Sequence, residues 1–295
     1  MNERSGSNLK AKLILLAGVF SCSMSSAFFR YMTAPSTIAA TYRLGWTVLL
    51  LTPLIFSKRE TRKELLSLKG KVLAFCGLSG LFLAMHFVVW FESLSNTSIA
   101  SSTVLVNTEV AFAAFGYLIF FGKKIRKKEI LAIGIAFLGS VVIAMADTGG
   151  GAGKNAVLGD ILALLAAFFS ACYTLIGTRE RSHMSTMVYT YVLYWGCFLS
   201  LLVFDAVSGV PMTGYEPINW IMSLCLAVFC TLLGHSVFSW SLKFLTPTYV
   251  STVKLAGPVF ASVSAILLFG EIPGLIQVAG AAVVLAGVYL YAKNS

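Results

Sequence analysis

Six ionisable side chains of this sequence fall inside or at the end of long apolar runs: Arg43, His86, Glu92, Glu109, His235 and Lys254. A charge in an apolar medium costs several kcal/mol unless it is paired or wet, so each carries a functional reading by default. Glu109 and Lys254 have opposite charges. They can hold the amine and carboxylate of a zwitterion, Glu109 can carry a proton, or the two can form an ion pair that only locks helices. Arg43 offers a planar fork for a carboxylate, or it snorkels outward along its stem. Trp46, three residues on, shares the Arg43 face of a helix. His86 and His235 are candidate proton relays or gates. The structural alternative for each is a packing hydrogen bond to a facing Ser or Thr. Neither has a metal-ligating partner at i+3 or i+4. Glu92 ends its run and reads as interfacial. Trp90 and Tyr194 are candidate aromatic walls of a cavity, while Tyr189, Tyr191, Trp195 and Trp240 read as interface anchors.

Patterns for enzyme chemistry are missing from the sequence. Gly122-Lys123-Lys124 lacks the upstream glycine and the following Ser or Thr of a phosphate loop. There is no GxSxG and no HExxH, and no paired Asp in the apolar runs. The six cysteines all lie in apolar runs without a CxxC, and read as small buried hydrophobes. We therefore expect no cofactor, no metal and no catalytic residue.

The elements that position these residues follow from composition. Of 295 residues, 58% are hydrophobic and 12% are charged. A soluble chain carries about twice that charged fraction. This excludes a cytosolic enzyme, a disordered chain and a nucleic-acid module. A helix needs about 20 apolar residues to cross a bilayer. Ten runs qualify: 13–32, 37–57, 72–92, 97–121, 128–146, 157–177, 187–207, 218–240, 246–270 and 273–292. The first, without a convincing cleavage site, is a span and not a signal peptide. The net charge of +10 is a topology signal. Eighteen of the 22 Lys and Arg residues lie before the first span, in 58–71 and 123–128, at Arg179, Arg181 and Lys243, and at Lys293. Arg30 and Lys154 lie on the other side. The bias puts both termini in the cytoplasm of a cell-membrane protein.

The halves resemble each other. LLAGVFSCS at 15–23 is similar to LLAAFFSAC at 164–172. Residues 93–122 align with 241–270 at an offset of 148, and Gly139 falls on Gly287 at the same offset. Five spans per copy is an odd number, so the copies insert in opposite orientations. The fold expected is an all-α polytopic membrane protein with ten transmembrane helices in two inverted five-helix repeats, over 1–146 and 157–292. Inverted repeats are characteristic of secondary transporters.

SLKFLTPTYVSTVKLAGPVFASVSAILLFGEIP at 241–273, its counterpart ending LIFFGKK, and AATYRLGWTVLLLTPLI at 39–55 resemble the drug/metabolite transporter superfamily of the EamA type. The resemblance implies a central cavity and carriage of a small organic molecule such as an amino acid, a related metabolite or a drug-like compound. It implies alternating access, operation as an exporter, and coupling to protons or a substrate gradient. It implies no nucleic acid and no obligate protein partner. A channel, a structural subunit and an intramembrane enzyme are the competing classes. The first copy departs from the pattern. Val110 stands where the second copy has Pro258, and Lys123 where it has Glu271.

Depth along each helix, at 1.5 Å per residue, places both Glu109 and Lys254 about 12 Å from the inner face. We expect them to face one cavity between the halves. Gly257 and Pro258 are expected to kink the ninth span and serve as a gate. Ala132 with Ala136, Ser140 with Ala144, and Ala282 with Ala286 are expected packing faces.

Overall fold

The computed structural model describes residues 2–29, 31–97, 102, 105–122, 125–146, 155–181, 183–269 and 274–294. Arg30, Lys123, Lys124, Lys154 and Glu271 lie outside the described residues. Among the described residues the chain is helical throughout, with no strand. The helices are α1 (Asn2–Ser23), α2 (Ser25–Phe29), α3 (Ser36–Ser57), α4 (Arg59–Leu66), α5 (Gly70–Asn96), α6 (Glu109–Phe121) and α7 (Lys127–Ala146). Then come α8 (Ala156–Glu180), α9 (Thr186–Ser208), α10 (Pro217–Cys225), a π-helical segment π1 (Leu226–His235), α11 (Ser236–Ser241), α12 (Pro247–Lys254), α13 (Gly257–Phe269) and α14 (Leu275–Asn294). Among the described residues six stretches are long and apolar enough to cross a membrane: Leu9–Phe29, Ser36–Ser57, Gly70–Ser93, Ala156–Glu180, Thr186–Ser208 and Pro217–Ser241. Glu109–Phe121 and Val278–Asn294 are shorter apolar helices.

Local signals set the ends. Asn155, Ser185 and Thr246 each accept a hydrogen bond from the backbone three residues on, starting α8, α9 and α12. Gly122 (φ 64°) and Gly209 (φ 67°) close α6 and α9 in the left-handed conformation.

Large apolar side chains face outward as well as inward. Phe115, Phe120, Leu131, Leu138 and Leu267 are exposed on the outside. A contiguous apolar exterior of this kind belongs in lipid. One core joins α3, α5 and α9 through Leu44, Val48, Leu83, Leu193 and Cys197. A second joins α1, α7, α12 and α14 through Leu15, Val19, Ala136, Val250 and Val284. The closest approaches are made by glycine. A Cβ at Gly80 would sit 2.3 Å from the Leu193 carbonyl oxygen, so α5 and α9 cross nearly backbone to backbone. Gly139 meets Val284, and Gly287 meets Ala136. Ala132, Ala136 and Ser140 are buried at this contact, whereas Ala282 and Ala286 face outward. That corrects the expected packing face of the last helix. It is Gly280, Val284 and Gly287 that turn toward α7, on nearly the opposite side of the helix from the alanines.

Arg181, counted above as a loop charge, is buried. Its Nε donates to the Ser239 carbonyl (3.1 Å), and its other nitrogens donate to the Met184 carbonyl and Thr186 Oγ1. It ties the turn between α8 and α9 to α11, where the main chain has no helix to satisfy it. At the turn between α2 and α3, Asn219 plays the corresponding part, accepting from the backbone N–H of Thr33 and Ala34 at 2.9 Å.

Gly80→Ala is expected to lose about 1–3 kcal/mol by forcing α5 from α9. Scanning fluorimetry of the purified protein should show a lower unfolding temperature. Gly134→Ala, at a position with nothing within 4 Å of the new methyl, should show no loss.

Candidate functional site

Two of the helices that the sequence reading left as long spans are interrupted. The stretch before α6 turns at Asn107–Thr108, and α12 gives way to α13 at Leu255–Ala256. In the second case the cause is plain. Pro258 has no N–H to donate to Lys254, and the chain closes instead with Leu255 and Ala256 donating to carbonyls three residues back. Gly257 and Pro258 therefore open α13 and follow the break. They do not line the cavity described below. In the first case no proline is present. Thr108 donates to the Leu105 carbonyl (3.1 Å) in the same tightened pattern.

Each break presents a charge. Glu109 is the first residue of α6, and Lys254 is the last residue of α12. Both signs suit the helix ends, where free N–H groups attract an anion and free carbonyls attract a cation. The two side chains meet, with Lys254 Nζ 2.5 Å from Glu109 Oε2. Ser170 of α8 donates to the same oxygen (2.7 Å), and Ser251 donates to Oε1 (2.9 Å). Glu109 thus has both oxygens occupied. The Lys254 ammonium also lies over the rings of Phe238 (5.5 Å) and Tyr173 (5.9 Å). Their side chains are 10% and 20% exposed, for Glu109 and Lys254 respectively, because they border a cavity of about 170 Å³. That is room for a few waters at about 30 Å³ each.

Arg43, His86, Trp90 and His235 line the same cavity. Arg43 of α3 does not snorkel. It is buried, donates from Nε to Thr231 Oγ1 (2.6 Å), and lies over the Phe87 ring (5.1 Å). Its Nη2 has no partner among the described residues. His86 Nδ1 pairs with the Ala166 carbonyl oxygen (2.9 Å), and its ring stacks on Trp90 at 6.1 Å. His235 ends π1, with Nδ1 3.4 Å from the Tyr173 hydroxyl and its ring edge-on to Phe87 and Phe238. Neither imidazole uses the Ser or Thr partner anticipated for it. Tyr194 is a correction. It is fully buried away from the cavity, and its hydroxyl bonds Ser236 Oγ (2.9 Å) and the Thr231 carbonyl (3.3 Å). It braces α9 against the π segment. Glu92 is exposed and accepts from Asn96 (3.0 Å).

Sequence reasoning passed over several members. Ser170 and Ser251 look like ordinary small residues of a span. Asn107 lines the cavity from the break itself. Outside the cavity, Asp205 of α9 near the end of its run is fully buried as well. Its Oδ2 accepts from Thr41 (2.5 Å), and its Oδ1 is unpartnered among the described residues. A lone Asp in an otherwise apolar run was the signal available for it. Among the described residues no group of three His, Cys, Asp or Glu side chains could hold a metal ion.

A helical multi-pass membrane protein with a half-open cavity, apolar for the most part but bearing charged side chains, fits a transporter. Two successive segments, residues 9–145 and 157–292, match the profile of the EamA-like transporter family, and the chain belongs to that family. An uncharacterized transporter of Archaeoglobus fulgidus is 27% identical over 90% of this chain and 86% of its own. A probable amino-acid metabolite efflux pump of Salmonella typhimurium is 27% identical over 58% of this chain and 59% of its own. Another protein so named, from Escherichia coli, is 22% identical over 75% and 74%. A solved crystal structure superposes with a TM-score of 0.77 over 97% of each chain at 16% identity, a likeness of fold alone.

Removing one partner of a dry buried pair costs about 3–5 kcal/mol. Here the cavity and the serine donors shield the survivor. Glu109→Gln and Lys254→Met are each expected to keep wild-type expression and a single size-exclusion peak. Loss of both single variants, with recovery in the double variant, would mark the pair as a lock and nothing more.

Proposed function

We propose that this protein is a secondary transporter that moves a small organic metabolite across the cell membrane by alternating access, with Glu109 and Lys254 at the centre of the moving parts. In this reading the chain has ten spans in two inverted five-helix repeats, over 1–146 and 157–292, with both termini cytoplasmic. The packing supports it, because contacts come in pairs that exchange the halves. The contact of α5 with α8 is matched by α1 with π1, and α6 with α8 by α1 with α13. Residues Gly139 and Val284 meet, and so do Ala136 and Gly287, each being the other pair with the copies exchanged at an offset of 148. A two-fold axis within one chain offers two equivalent conformations, one open to each side.

The observation that carries the proposal is the placement of the two breaks. Residues 107–108 and 255–256 are equivalent at the same offset of 148, and the ion pair bridges them inside the cavity. A broken helix can pivot where a continuous one cannot. While Lys254 holds Glu109, α6 and α12 are tied. A proton delivered to Glu109 releases Lys254 and unties them, which would couple proton movement to reorientation. The efflux-pump names of two relatives favour export and an amino-acid-like metabolite.

Purified protein in liposomes should show saturable, counterflow-stimulated movement of a labelled metabolite, abolished by Glu109→Gln. Flux that never saturates and shows no counterflow would indicate a channel and overturn the proposal. Reporter fusions near Lys69 and Lys127 should report cytoplasm, and a fusion near Pro211 the outside. The reverse pattern would refute the orientation.

A further inference from the structure

We infer that the chemical group this cavity recognises is a carboxylate, held by the Arg43 guanidinium beside the Trp90 indole N–H, and that the ligand needs no ammonium group. The inference rests on the transporter reading for the cavity's role and adds the ligand's chemistry.

Three nitrogens on the cavity wall are buried and lack a partner among the described residues: Arg43 Nη2, Trp90 Nε1 and Asn107 Nδ2. A guanidinium and an indole can only donate, so only an acceptor satisfies them. Both are held in place. Arg43, 5% exposed, is fixed by Thr231 through Nε and by Phe87 beneath its plane, and Trp90 is stacked on His86. Orphaned buried donors on rigid side chains are unusual in proteins and ask for an explanation. Charge gives the same answer. Among the described residues the charged lining consists of Arg43, Glu109 and Lys254, beside two imidazoles and the Cys22 thiol. Glu109 and Lys254 neutralise each other at 2.5 Å, and no salt bridge found among the described residues includes Arg43. The cavity is one positive charge in excess, and a buried charge without a counterion is costly. A monoanion cancels it, and a planar carboxylate matches the fork.

An ammonium has no comparable seat. The only carboxylate on the cavity wall among the described residues already accepts from Ser170, Ser251 and Lys254. Apart from Cys22 and Ser25, the remaining described walls are Phe87, Val106, Phe238 and Leu255, which suit an aliphatic or single-ring tail, and about 170 Å³ keeps that tail short.

The test uses the purified full-length protein with propionate, 4-methylpentanoate and 3-phenylpropionate, each beside its primary amide, and leucine. Calorimetry should show at least one acid binding while its amide does not, and leucine binding no more tightly than 4-methylpentanoate. Arg43→Gln should weaken the acid about ten- to a hundredfold, the scale of hydrogen bonds to a charged group, and leave the amide unchanged. Trp90→Phe keeps the ring and should weaken the acid several-fold, the scale of one lost donor. If Arg43→Gln does not fold, Trp90→Phe decides: an unchanged preference for acid over amide overturns the inference. So do an amide that binds as tightly as its acid, no binding by any of the three acids, or leucine binding tenfold more tightly than 4-methylpentanoate. Counterflow in liposomes keeps the two readings apart. Saturable counterflow of an amide leaves the carrier standing and sinks the carboxylate site. Arg43-dependent binding without counterflow sinks the carrier and leaves the site.

Discussion

The contact between Glu109 and Lys254 is the constraint on which the central part of this protein depends. It joins two charges at the free ends of two broken helices, in a region where lipid tails would strand either charge alone. A break in a helix frees backbone donors and acceptors, and in a membrane these must find partners within the protein. Here the breaks close with tightened turns, and the helix ends face charges of the complementary sign. The hydroxyls of Ser170 and Ser251 complete the shell of the carboxylate from α8 and α12. Three helices therefore converge on one side chain.

The two halves are built alike but are not chemically alike at the centre. Where the second copy has Lys254, the first has Val106; where the first has Glu109, the second has Gly257. The second break is enforced by Pro258, and the first is not. The helix that carries His235 is wound as a π-helix, while the α5 segment opposite it in the repeat is an ordinary α-helix. A π turn displaces side chains round the axis and is common at functional sites. Here it delivers His235 and Thr231, and Thr231 fixes the direction of Arg43. The paired contacts of the halves thus surround a centre whose charged residues differ between the two copies.

Around this centre the scaffold is tight where helices cross and plain where they meet lipid. Gly80, Gly139 and Gly287 allow backbones to touch, which is how helices associate when burial of apolar surface supplies no driving force. Arg181 and Asn219 staple the turns, and Tyr194 and Asp205 bind α9 to its neighbours through buried hydroxyl and carboxyl groups. None of these four lines the cavity.

The sequence by itself determined the class of the protein, because apolar residues in such excess can be covered only by lipid, and because apolar runs of this length read directly as spans. The meeting of Glu109 with Lys254 was legible too. Counting residues from the ends of two runs placed Glu109 and Lys254 at one level. What it could not determine was direction round each helix axis and continuity along it. Arg43, Trp90 and His86 turn inward, while Tyr194, by the same criteria of type and position, serves packing. The difference lies in which neighbours close round each helix. Ala282 and Ala286 had the spacing of a packing face, yet the helix turns Val284 and Gly287 to its partner instead. Arg181 had the position of a loop charge, but a turn without helical partners for its carbonyls drew it inside. The break at Asn107–Thr108 carried no proline or glycine to announce it. The interruption puts Glu109 at a helix start, where Ser170, Ser251 and Lys254 meet its carboxylate. Interactions among residues distant in sequence decide such points, and only the assembled helices specify them.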